Sequence, residues 1–149
     1  MNWSRFLPST SEDYEGSPLA FYFLILIAVV STVRSLIHIL APDGGAHSIA
    51  GLAIDLPGGA NIVAIFAQWG ASQLILALFL WLAILRYRSL TPLMLAVVLL
   101  EQLLRLGAGL LKPLELAAPP PGAIGTWVLL PLSLIALVLS LRSRSGAAE

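Results

Sequence analysis

Four stretches of the chain are both long and apolar enough to cross a bilayer. A helix rising ~1.5 Å per residue needs about 20 apolar residues to span ~30 Å of hydrocarbon. Runs over about 19–41, 61–85, 92–111 and 123–141 meet that length, and none shows the alternation of a strand. Only helices and closed barrels satisfy their backbone in lipid, so the pattern predicts four transmembrane helices. Prolines punctuate them. Pro18 opens the first where its missing N–H costs nothing, and Pro42 closes it. Asn61 is the expected N-cap of the second; "TP" at 91–92 gives the third a capping residue and an N1 proline, and "PPPG" precedes the fourth. The expected fold class is all-α, an integral membrane bundle of four transmembrane helices over 18–142, between polar tails at 1–17 and 143–149.

The segment between the first two runs, "PDGGAHSIAGLAIDLPGGA" at 42–60, places Gly-Gly pairs around Ile49, Leu52 and Leu56, with Asp55 among them. It is expected to be a short amphipathic helix on the outer surface. The sharper alternative is a lid or re-entrant hairpin carrying Asp43, His47 and Asp55 over a cavity between the spans.

Composition agrees with a membrane unit. Hydrophobic residues make up 58% of the 149 positions and charged ones only 11%, where soluble domains run near about a quarter charged. No second domain is in view. Without cysteine there are no disulfides, thiolate metal sites or cysteine nucleophiles. Eight basic and eight acidic side chains balance, and no basic tract suggests a nucleic-acid partner. The opening "MNWSRFLPSTSEDYEGS" sets one Arg against Glu12, Asp13 and Glu15, which is not how a cleaved signal begins.

Basic residues also set an expected orientation. With four spans both termini share a side, so Arg5, Arg86, Arg88, Arg142 and Arg144 fall together and only Lys112 lies opposite. Positive-inside then puts both termini in the cytoplasm of a multi-pass protein of the cell inner (plasma) membrane. Trp3, Trp81 and Trp127 suit interfacial belts, and Trp69 lies deeper.

Polar residues inside the spans are the only candidate chemistry. In "STVRSLIHIL", Ser31, Arg34, Ser35 and His38 follow the spacing of one helix face. In "EQLLRLGAGLLK", Glu101, Arg105 and Lys112 form a second stripe. On the second span Asn61, Gln68 and Ser72 share a side, with Gln73 off it. In "QWGASQ", Gly70 and Ala71 are expected to let a neighbouring backbone approach, with Gln68 and Gln73 hydrogen bonding across helices as packing groups. Thr126, Ser133 and Ser140 resemble a small-residue packing seam. Helical rise places Arg34, Gln68 and Arg105 each ~10 Å below the outer edge, with Glu101 one turn deeper.

An ionised side chain at mid-span costs ~2.5–3.5 kcal/mol or more, so these groups require compensation. Glu101 is the only acid within a span, and Arg105 at i+4 is its natural partner. Arg34 would share that carboxylate, leaving about one positive charge for a loop aspartate or an external anion. His38, Asp43 and His47 match no metal-ligand spacing with a mechanical basis, and no nucleophile-elbow, zincin or phosphate-loop pattern occurs.

"STVRSLIHILAPDGGAHSIAG", "FAQWGASQLILALFLWLAILRYRSLTPLM", "EQLLRLGAGLLKP" and "PPGAIGTW" together resemble a group of small four-span bacterial membrane proteins with no assigned activity. The resemblance covers most of 22–141 and implies the architecture alone.

Three functional classes follow. The leading expectation is a non-enzymatic protein whose outer-half polar cavity binds a lipid headgroup, small amphiphile or anion. Arg34 and Arg105 would be donors held by Glu101, with Gln68 and His38 at the rim. The second is a structural or assembly subunit whose Glu–Arg cluster only fixes helix packing. The third is an intramembrane enzyme using Glu101 as acid or base near His38. No cofactor is expected; membrane lipids are the expected partners, and homo-oligomerisation stays open.

Overall fold

The structure, a computed structural model, describes residues 10, 13–114, 116 and 120–142. Trp3, Arg5, Glu12, Arg144 and most of both tails lie outside the described residues. The chain forms α1 (Pro18–Leu40), α2 (Gly59–Arg86), α3 (Thr91–Leu111) and α4 (Pro121–Ser140), with a 3-10 turn at Arg88–Leu90 leading into α3. No strand occurs among the described residues. Each helix, taking that turn with α3, is long and apolar enough to cross a membrane. Large apolar side chains such as Leu85, Leu104 and Leu110 stand exposed along their flanks, a surface that lipid satisfies and water does not. The molecule is a four-helix bundle of the multi-pass membrane type.

Two helix starts differ from expectation. Asn61 is exposed one turn inside α2; Gly58, at φ 93°, is the N-cap, and its carbonyl receives the Asn61 amide at 2.9 Å. Thr91 is already helical, with Leu90 as N-cap. Its hydroxyl instead donates to the Arg88 carbonyl at 2.7 Å, closing the 3-10 turn beneath the helix.

Packing is uneven. α1 lies most extensively on α2 and α3 on α4, while α2 and α3 barely meet. The apolar core joins Leu24 and Ile27 of α1, Leu80 and Ile84 of α2, Leu95 and Val98 of α3 and Ala136 of α4. All lie in the half nearer the ends of the chain, where Ser17 N–H meets the Leu139 carbonyl at 3.3 Å. Thr126, Ser133 and Ser140 are buried on the inner face of α4. The other half of the bundle depends on a different device. A Cβ added at Gly70 would stand 2.7 Å from His38 Cβ and 3.0 Å from the Ser35 carbonyl. Only glycine lets α2 approach α1 that closely. Trp81, expected in an interfacial belt, is half-buried and donates its indole N–H to Thr32 Oγ1 at 3.0 Å, a second tie between the same helices.

The α1–α2 connection is not a helix. Residues 41–50 form a run of turns, because Gly44 and Gly45 take φ of +59° and +74°, which a right-handed helix excludes. Asp43 stabilises the reversal: Oδ1 accepts from Gly45 N–H at 2.9 Å and Oδ2 from Ser48 N–H at 2.7 Å.

Candidate functional site

Above the apolar core, three helices contribute one connected polar chain. Arg34, on the half-buried flank of α1, donates through Nη2 to Gln73 Oε1 of α2 at 2.9 Å. The amide of Gln73 in turn donates to Glu101 Oε1 of α3 at 3.3 Å. Arg105, one turn along α3, donates to that same oxygen through Nε at 3.1 Å and through Nη2 in an ion pair. One carboxylate oxygen thus receives three donors. Glutamine suits the central position because its amide carries both an acceptor and donors, so it relays between an arginine and a glutamate that do not touch directly.

Trp69 forms the floor under both cations. The guanidinium carbons of Arg34 and Arg105 lie 5.4 and 5.7 Å from its ring centroid, within the ~6 Å range of cation–π attraction. The electron-rich ring offsets part of the cost of holding two like charges near each other in an apolar slab. His38 stacks beside the same indole at 4.7 Å, and Phe66 meets both rings edge-on.

The weak contact between α2 and α3 leaves a cleft of about 430 Å³ alongside this chain. Its walls are mainly apolar, from Val97, Leu100, Leu104 and Ala108, and its polar edge is Gln73, Glu101 and Arg105. Arg34 stands behind Gln73, outside the lining. Its Nε is buried with no acceptor among the described residues.

The residues singled out from sequence divide into two groups. Arg34, Glu101 and Arg105 come together through Gln73. Gln68 does not join them: it is exposed on the flank of α2 with Asn61 and Ser72, one position before Trp69. His38 is buried and reaches the cluster only through Trp69, since its Nδ1–H donates to the Gly44 carbonyl at 2.7 Å. Asp43 is engaged with backbone amides, and those hydrogen bonds, led by Ser48, hold its carboxyl well below the usual aspartate range. His47 Nδ1–H donates to the Leu52 carbonyl at 3.0 Å, and Asp55 is exposed. Asp43 and His47 organise their own turns, and none of the three loop groups lines the cleft. Sequence reasoning left Trp69 out of the site and gave Gln73 a cross-helix hydrogen bond, as the structure shows, but not a place in the site. The usable signal was the row Gly70, Gln73, Ala77 and Leu80, whose small residues mark the packed face of α2. Comparison of the chain with protein-family models, curated proteins and solved structures gives no match.

Proposed function

We propose that this multi-pass membrane protein binds an oxyanion-bearing ligand, such as a lipid headgroup, small amphiphile or anion, at the Arg34–Gln73–Glu101–Arg105 chain, without catalysing a reaction on it. One observation carries the reading: a single carboxylate at the edge of a cleft stands against two guanidiniums, Arg105 bound to it directly and Arg34 linked to it through Gln73. That leaves one formal positive charge in an apolar slab, where an unpaired charge is costly. Arg105 Nη1 has no partner among the described residues, and a guanidinium fork is suited to carboxylate or phosphate oxygens. Arg34 adds its charge from behind Gln73.

The test is native mass spectrometry of gently extracted protein. Wild type is expected to carry a bound anionic species that Arg105→Gln loses while its helical circular dichroism stays intact. A wild-type spectrum free of adducts under several mild detergents would overturn the reading.

A second reading has its own support. The same hydrogen bonds join α1, α2 and α3 where α2 and α3 otherwise barely meet. Under it the cluster is a clamp that sets helix packing in a structural or assembly subunit.

A further inference from the structure

The cleft constrains its occupant more closely than charge alone. We infer that the ligand is a chain-bearing monoanion, entering sideways from the membrane between α2 and α3, with its oxyanion on Arg105 and its hydrocarbon against Leu100 and Leu104. This rests on the oxyanion reading above and adds the chain, the entry route and the charge.

Three observations support it. The first is depth. Arg105 lies six residues inside the end of α3 at Leu111, so about 9 Å below that end by helical rise. A small soluble anion would cross that apolar thickness unaccompanied, whereas an amphiphile already residing in the membrane meets the cleft from the side. The second is wall chemistry. Leu100 and Leu104 are 54% and 65% exposed yet line the cleft, so the apolar wall is continuous with the surface that lipid chains touch. The third is charge complementarity. Arg34 and Arg105 against Glu101 leave a formal excess of one, which a fatty carboxylate or a lipid phosphodiester matches and a phosphate dianion overshoots.

The experiment uses the full chain in detergent micelles with Trp3, Trp81 and Trp127 replaced by Phe, so that fluorescence reports Trp69 in the cleft wall. Dibromostearate and a brominated phosphatidylglycerol are the two chain-bearing probes. Saturable quenching by at least one is expected, and whichever saturates identifies fatty acid or phospholipid as the source. Ala108→Phe, which narrows the cleft without removing a polar group, and Arg105→Gln should each weaken it by at least about tenfold. Inorganic phosphate and butyrate should not compete. If phosphate or butyrate displaces the probe, or binds when neither brominated probe does, the chain requirement falls and the oxyanion reading stands. Equal saturable quenching by dibromostearyl alcohol would overturn the charge requirement. If no anion, chain-bearing or small, binds saturably, both readings fall together.

Discussion

Gln73 and Gln68 are chemically identical, five residues apart on one helix, and have different surroundings. Gln73 bridges Arg34 and Glu101 with both ends of its amide, while Gln68 is exposed on the opposite flank. Replacing Gln73 by Leu leaves Arg34 Nη2 without its acceptor and removes one donor from Glu101. Unsatisfied buried polar groups cost about 1–3 kcal/mol each, and that is the expected loss for Gln73→Leu in a reversible unfolding assay. Gln68→Leu should stay within ~0.5 kcal/mol of wild type; equal losses in the two variants would count against the placement of both. The contrast also shows where sequence reasoning stopped. Helical periodicity reports which residues share a face, and it correctly grouped Gln68 with Asn61 and Ser72 and set Gln73 apart. It does not report which face turns inward. In water, polar residues mark the outer face, whereas in lipid that rule loses its force. The packed face of α2 is marked by the small residues Gly70 and Ala77, and Gln73 follows them.

At the level of elements, the four helices were legible because length and apolarity leave the backbone no other choice in lipid. Their starts were less so: Asn61 and Thr91 are good caps by type, yet both lie inside helices that start earlier than expected, with Gly58 and Leu90 as N-caps. The α1–α2 connection was misread as a surface helix because Ile49, Leu52 and Leu56 suggest amphipathicity. Left-handed glycines at Gly44, Gly45 and Gly51 and the Asp43 hydrogen bonds take precedence over that weak pattern. This connection gives a pH prediction. Asp43 is held below its ordinary value by the Ser48 and Gly45 amides, so the unfolded loop binds the proton more readily than the folded one. Its contribution is therefore complete above the unfolded aspartate value of ~3.9 and fades as pH falls below it toward the depressed folded value. Amide exchange at Gly45 and Ser48 should be protected at about pH 6 and progressively less so below about pH 4, beyond the intrinsic pH dependence of exchange. Asp43→Asn should remove that extra dependence. Protection that is as pH-dependent in Asp43→Asn as in wild type would point to another group.

Across the whole molecule, the bundle is held by apolar packing near the chain ends and by polar links in the other half. Glu101 is where those links converge, so its removal tests how the two halves depend on each other. Glu101→Gln keeps an acceptor but removes the negative charge, leaving Arg34 and Arg105 facing each other across Trp69. Breaking a fully buried pair costs ~3–5 kcal/mol; here the side chains of Arg105 and Glu101 are 22% and 19% exposed, and a loss of about 1–3 kcal/mol is expected. The double variant Glu101→Gln with Arg105→Gln removes one charge of each sign and restores the overall balance, so much of that stability should return. That rescue separates the two functional readings when ligand retention is measured on the same sample. If the polar chain is only a clamp, the rescued double variant has wild-type stability and assembly, and wild type itself carries no specific anion in native mass spectra. If it is a binding site, wild type carries the anion and the double variant folds yet loses it, because Arg105 is the donor that faces the cleft. A stable double variant that keeps the anion would show that the ligand is held elsewhere, and the Arg105 assignment would fall with it.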